Sequence, residues 1–208
     1  MIDLEKSGGL WLVRINRPEK ANSLTPDMLA RLIAIAEDAR DGAEAMVLTG
    51  EGNKVFSAGA DLDAARAGLA TSPLWEQLSG RIAALPCLTI AALNGTLAGG
   101  AFGMVLACDL RIAVPEARFF YPVMKLGYLP QPSDPGRMSA LIGPARTKMI
   151  LMAGQKIDAA TAHAWGLIDE VTPAQQLARR AAELAQDVLS AGPELAARIK
   201  ALVGPRTT

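Results

Sequence analysis

Histidine occurs once in the 208 residues, at His163, and cysteine twice, at Cys87 and Cys108. That scarcity leaves no metal-binding framework. Both cysteines lie in apolar runs, so buried free thiols are expected in place of a disulfide or a reactive thiol. An excess of charge of either sign is also missing, because Lys plus Arg and Asp plus Glu number 21 each. No overall field draws the chain to nucleic acid or to an anionic membrane, and any anionic ligand must be held by local donors. No uncharged apolar run approaches the ~20 residues that span a bilayer. The opening Met1-Ile2-Asp3-Leu4-Glu5 lacks the basic start and apolar stretch of a secretion signal. Together these absences point to a cytoplasmic, reduced setting. Repeats, linkers and low-complexity tracts are absent too, and an apolar fraction of 50% with 20% charged residues fits one globular domain, 1–208.

The pattern along the chain is that of strands and helices in alternation. Ile2–Lys6 and the alternating Leu10–Ile15 read as a hairpin turned at Ser7-Gly8-Gly9. Thr25-Pro26-Asp27 reads as N-cap, first helical residue and acidic first turn. The helix that follows carries Met28, Leu29, Leu32, Ile33, Ala36 and Ala39 on one face. Ala45–Thr49 and Cys87–Leu93 are short apolar runs that fit buried strands, with a helix from about Pro73 to Leu85 between them, and Leu110–Val114 is again strand-like. Beyond Tyr121 helices dominate, near Ser139–Ile142, Ala145–Ala153 and Ala159–Trp165, broken by Gly143-Pro144 and Gly154. A last amphipathic helix starts at Thr172-Pro173, with Leu177, Ala181, Leu184 and Val188 in register. The fold class is therefore α/β over 1–125, followed by a mainly helical part over 126–208.

Two small-residue segments carry the chemistry. Ser57-Ala58-Gly59-Ala60-Asp61 and Asn94-Gly95-Thr96-Leu97-Ala98-Gly99-Gly100-Ala101-Phe102-Gly103 each place bare backbone N–H groups where a strand gives way to a loop or helix. Two such donors aimed at one oxygen form an oxyanion hole for a carbonyl gaining negative charge. The glycines alone could equally serve tight turns and close packing. No Gly-Lys-Ser/Thr ending follows them, which disfavours a phosphate loop.

These segments resemble the crotonase (enoyl-CoA hydratase/isomerase) superfamily. The likeness runs from Asn16-Arg17-Pro18-Glu19-Lys20-Ala21-Asn22-Ser23-Leu24 through both donor loops to Ala107-Cys108-Asp109-Leu110. It resumes at Lys125-Leu126-Gly127-Tyr128-Leu129-Pro130 and at Ala164–Val171. The resemblance implies a spiral of ββα turns, assembled as a homotrimer or a pair of trimers, acting on acyl-CoA thioesters. Coenzyme A then enters as part of the substrate, with no tightly bound cofactor and no metal.

Carried over to this chain, the resemblance makes the Ala60 and Gly100 amides the oxyanion donors. Ala58, Gly59, Asp61 and Leu62 on the first loop, and Gly99 on the second, would line the substrate, with Gly99-Gly100 opening a helix through Ala107. The two glutamates of the family's hydratases fall on Gly103 and Val123, which can neither orient water nor move a proton. Simple hydratase chemistry is disfavoured, and isomerisation with it. Lyase chemistry such as decarboxylation needs mainly the oxyanion hole and ranks ahead of both. A non-catalytic acyl-CoA-binding or scaffold member is the alternative.

Tyr121, Tyr128, Gln131 and Asp134 are the polar residues expected near the acyl group, although each also fits loop packing. Asp134 is the best spare acid, but Ser133-Asp134-Pro135-Gly136 reads more readily as a helix cap. Asp61 reads as fixing its own loop through backbone N–H groups. Arg17, Lys20 and Lys54 are candidates for the CoA phosphates or simply solvated charges. His163 reads as a helix-surface side chain and Asp109 as structural. Relatives in the family extend several dozen residues beyond the Lys200 region, so a more open acyl pocket or a different closure by the assembly is expected.

Overall fold

The computed structural model describes residues 1–203, and the 204–208 segment lies outside the described residues. β1 (Ile2–Ser7) and β2 (Leu10–Ile15) pair antiparallel as expected, turning where Gly8 takes φ +58°. Thr25 caps α1 (Pro26–Gly42) by accepting from the Met28 amide, and Pro26 occupies the first turn, where no amide partner is lost. The buried face of α1 holds Met28, Leu29, Leu32, Ile35, Ala36 and Ala39. Ile33, expected on that face, is only half-buried, and Ile35 takes its place. One residue in this apolar stretch had to flank the stripe, and the sequence pattern does not choose between them.

The chain then spirals. β3 (Ala45–Gly50) is followed by β4 (Val55–Ser57), β5 (Leu88–Leu93) by β6 (Thr96–Ala98), and β7 (Leu110–Ala113) by β8 (Arg118–Phe120). The first strand of each pair joins one sheet and the second joins another. With β9 (Ile157–Asp158) and β10 (Glu170–Val171), the orders are β1-β2-β3-β5-β7-β10 and β4-β6-β8-β9. Between the strand pairs run α2 (Leu62–Arg66) and α3 (Leu74–Ala83), then α4 (Phe102–Leu106), and α5 (Val123–Leu126) follows β8. This is the ββα superhelix. β3, β5 and β7 are parallel neighbours, and the almost continuous apolar runs of β3 and β5 follow from cover on both faces, while β7 carries one buried charge, Arg111.

The C-terminal part is mostly helix: α6 (Asp134–Leu151), α7 (Ala159–Trp165), α8 (Leu177–Ala191) and α9 (Pro193–Val203). The expected break falls inside α6, where Gly143 leaves the helical region at φ 79°, ψ 161°, ahead of Pro144. Two expectations change. The helix after Thr172-Pro173 begins only at Leu177, after a 3₁₀ turn over Ala174–Gln176, and it is not the last. Gly192 breaks the chain at φ 85° and Pro193 opens α9, the N-terminal-proline preference repeated. Lys200 ties α9 to the large sheet, donating to the Cys87 carbonyl and to Asp109 Oδ2, each at 2.7 Å. Both cysteines are free and buried, and burial pushes the Cys87 thiol up to about 11. No helix of the described residues is long and apolar enough to cross a membrane.

Candidate active site

Topology brings the two donor loops together. β4 and β6 are parallel neighbours, and so are β6 and β8. Their carboxyl ends therefore lie side by side, the edge of a parallel sheet where ligands bind. β4 leads into Ala58–Asp61, β6 into Gly99–Gly100, and β8 into Tyr121. Three segments, each 20 to 40 residues from the next in sequence, thus meet without any long-range device beyond strand pairing.

The first loop is held from behind. Leu24 forms a parallel bridge with Ala60, its amide donating to Gly59 O and its carbonyl accepting from Asp61 N, both at 2.8 Å. In a parallel bridge the central residue turns its own N–H and C=O to the opposite side. The Ala60 amide therefore faces away from Leu24. Ser57 Oγ donates to Asn22 O at 2.8 Å and accepts from Gly59 N, while Asn22 Nδ2 donates to Glu51 O and Val55 O. Asp61 behaves as expected: its Oδ1 accepts from the Asp63 and Ala64 amides and caps α2. Its Oδ2 accepts from Arg17 at 2.8 Å, and the Arg17 hydrogen bond, with the Ala64 amide behind it, holds the carboxyl below the usual range. Arg17 also donates to Ser23, so this guanidinium braces the donor loop.

The second loop fits against the first. Gly59 takes φ +87°, and a Cβ built there would lie 3.0 Å from Ala98 O and 3.2 Å from Gly100 N. Gly99 takes φ +60°, with Ala58 O 3.6 Å from the corresponding point. Only glycine permits both the left-handed backbone and this approach. Gly99–Ala101 form a 3₁₀ turn before α4, in place of the continuous helix expected from Gly99 to Ala107. Gly100 lies in the first turn, where amides have no intrahelical partner. Neither the Ala60 nor the Gly100 amide donates to another group among the described residues.

Two side chains close the space beside Gly100 and Gly103. The Trp75 ring lies 3.2 Å from where a Gly100 Cβ would stand, anchored by its indole N–H on Leu69 O at 2.8 Å. One helical turn on, a Cβ at Gly103 would lie 2.9 Å from Asp134 Oδ1 and 3.5 Å from Ser79 Cβ. Asp134 is fully buried, and Tyr121, itself stacked on Phe102 at 5.4 Å, donates its hydroxyl to Asp134 Oδ2 at 2.9 Å. Burial pushes the Asp134 carboxyl up to about 7, against the Tyr121 hydrogen bond and Arg137, with Glu76 adding to the rise. The Tyr121 hydroxyl is pushed up as well, by burial first and then by Asp134.

Ser133-Asp134 opens α6 as expected, with Ser133 at the N-cap position and Asp134 in the first turn, but the capping bond expected of Asp134 is not made. Glu76 of α3 supplies the carboxylate at the start of α6, accepting from the Ser133 amide at 3.2 Å and from the Ser133 hydroxyl. A negative charge from a neighbouring element satisfies the helix end as well as a local one does. Neither Glu76 nor Trp75 carried any sequence signal, because each acquires its role only when α3 packs on α4.

The other site residues divide. Gln131 is buried beside this cluster, its amide donating to the Tyr121 hydroxyl at 3.4 Å and its side chain to Ala70 O. Val123 is buried in the core at the start of α5. Tyr128 is 40% exposed and Leu62 76% exposed. Lys20, Lys54, Ala58 and His163 are exposed. Asp109 is structural, accepting from the Thr89 amide and hydroxyl besides Lys200. Beside α2 a groove of about 430 Å³ is lined by Pro26, Ala64, Leu69 and Leu74 among others; its lining does not include Ala60 or Gly100.

The family model for enoyl-CoA hydratase/isomerase matches residues 5–207. A short-chain-enoyl-CoA hydratase of Clostridium acetobutylicum is 34% identical over 197 residues, 91% of this chain and 76% of that one. A carnitinyl-CoA dehydratase of Citrobacter koseri is 34% identical over 203 residues, covering 94% and 77%. Among solved structures, Pseudomonas aeruginosa DspI superposes with a TM-score of 0.89 at 32% identity, covering 97% of this chain and 85% of its own. An enoyl-CoA hydratase from Bacillus anthracis gives 0.88 at 31%, covering 96% and 80%. The likeness extends over the spiral, both donor loops and the helical part alike, and the chain belongs to the enoyl-CoA hydratase/isomerase family.

Proposed function

We propose that this protein binds an acyl-CoA thioester and stabilises its enolate between the Ala60 and Gly100 amides. The observation that carries this reading is the seating of Gly59 against Gly100 N, with both donor amides free of protein partners. A positioned donor of this kind contributes roughly 3–4 kcal/mol to a transition state with charge on oxygen. Enzymes named for CoA thioesters among the relatives support the substrate class.

Within that class the reading favours a lyase, such as a decarboxylase, over hydration or isomerisation. Position 103 is glycine with its open side filled, and position 123 is a buried valine. Loss of CO₂ generates the enolate directly, so the oxyanion hole carries most of the barrier reduction. The substrate is a small molecule, with CoA supplied by it and no tightly held cofactor. A homotrimer or pair of trimers is the proposed assembly, and exposed Met124, Leu126, Leu129, Met149 and Met152 offer apolar surface for it.

The two absent glutamates also favour a second reading, a family member that binds acyl-CoA without turning it over. Assays of the purified protein with methylmalonyl-CoA, crotonyl-CoA and a 3-enoyl-CoA separate the two. Turnover of methylmalonyl-CoA in excess of the other substrates is the expected result. Tight binding of all three with no turnover would replace the enzyme reading by the binding one.

A further inference from the structure

We infer that Asp134 is the proton-transferring group of this site, reaching the acyl α-carbon from the space that a side chain at position 103 would otherwise fill. The assignment rests on the enolate reading above.

Three observations converge on Asp134. Its Oδ1 is buried and has no hydrogen-bond partner among the described residues, although Oδ2 is held by Tyr121. A buried carboxyl oxygen left open is unusual in a folded protein, where such atoms are ordinarily satisfied. That open oxygen stands 2.9 Å from the Cβ point of Gly103. Gly103 lies three residues after the donor Gly100, and positions three apart share one face of a helix. The capping role that would otherwise explain an aspartate at the start of α6 belongs to Glu76. Asp134 is thus a carboxyl with one oxygen anchored by Tyr121 and one buried oxygen that makes no hydrogen bond among the described residues and faces the Gly103 position.

The geometry also explains the glycine. Any side chain at 103 would displace the Asp134 carboxyl, so the two positions are coupled: the carboxyl arrives from α6 and α4 leaves room for it. The proton transfer is simple to balance. The ionised carboxyl takes the α-proton, the C–H electron pair becomes the C=C of the enolate, and the carbonyl π pair moves to the oxygen between the two amides. Return of a proton from Asp134 to the α-carbon reverses every step. After a decarboxylation the same acid would deliver the proton that the enolate needs.

The groups facing Asp134 are Tyr121 from the segment after β8, Glu76 from α3 and Arg137 on its own helix. Tyr121 and Arg137 favour the ionised form, and Glu76 opposes it. Base activity therefore rises with pH through a midpoint near neutrality, about 7.

Butyryl-CoA in D₂O reads this step without requiring a net reaction, by mass spectrometry of deuterium at its α-carbon, with binding followed by calorimetry. The wild-type protein is expected to exchange the α-protons, and Asp134→Asn to bind butyryl-CoA normally with exchange at least 100-fold slower. Tyr121→Phe removes a hydrogen bond that favours the carboxylate, so its exchange midpoint is expected to move to higher pH. If Asp134→Asn does not fold, that shift decides alone. Unchanged exchange in Asp134→Asn, an unmoved midpoint in Tyr121→Phe, or wild-type binding without exchange would each overturn the Asp134 assignment and leave the oxyanion reading standing. Failure to bind butyryl-CoA at all would overturn the enolate reading, and this assignment with it.

Discussion

Asp134 and Asp61 show how the same residue type takes opposite electrostatic roles. Asp61 accepts two backbone amides and the Arg17 guanidinium, and all three favour its charge. Asp134 has one hydroxyl donor and is otherwise walled in, so its charge is disfavoured. The consequence for stability has a definite sign. The folded state holds the Asp134 proton more tightly than the unfolded chain does, because its carboxyl sits near 7 against an ordinary 3.8. Between those values the unfolded state ionises first, so stability falls as pH rises through this window and is level above it. Asp134→Asn removes the effect. Its advantage over wild type in thermal or denaturant unfolding is expected to grow from pH 4 to pH 8 by on the order of 2–4 kcal/mol. An advantage that does not vary with pH would place the carboxyl in an ordinary environment.

At the level of elements, the site is a consequence of strand order. Because β4, β6 and β8 are consecutive parallel neighbours, their ends deliver Ala60, Gly100 and Tyr121 to one edge. Much of this was legible. The Thr25-Pro26 cap, the apolar strands and the Gly143-Pro144 break were visible because each depends on local chemistry. The three-residue strands β4, β6 and β8 were too short to announce themselves by periodicity, although the small residues that follow β4 and β6 did. The Tyr121–Asp134 bond and the use of Glu76 as a cap were not legible, since they join α3, β8 and α6 only after packing. The close fit of the loops makes Gly59 the sensitive position. Gly59→Ala imposes a left-handed alanine, a strain of about 1–3 kcal/mol, and drives its Cβ against Ala98 O and Gly100 N. Displacing one donor is expected to lower kcat by about 10²–10³-fold, with the circular dichroism spectrum unchanged. Wild-type kcat in this variant would mean that the loops do not act together.

Across the whole molecule, the large sheet and its helices form the scaffold, and the small sheet's edge holds the loops proposed to carry the chemistry. The scaffold is fixed by features remote from the donors. Arg111, almost wholly buried, donates to the carbonyls of Leu167 and Cys108 and pairs with Asp169 at 3.0 Å, joining β7 to the segment before β10. Lys200 does the same for α9. A rigid frame of this kind is what allows two backbone amides to hold their direction without a ligand, which is the condition for electrostatic preorganisation. The direct measure of that condition is the carbonyl of a bound thioester. Infrared difference spectra of crotonyl-CoA labelled with ¹³C at the thioester carbon report its stretching frequency in the site. The two-donor arrangement predicts a marked shift to lower frequency on binding, reduced in Gly59→Ala. A bound carbonyl vibrating at its free-solution frequency would contradict it.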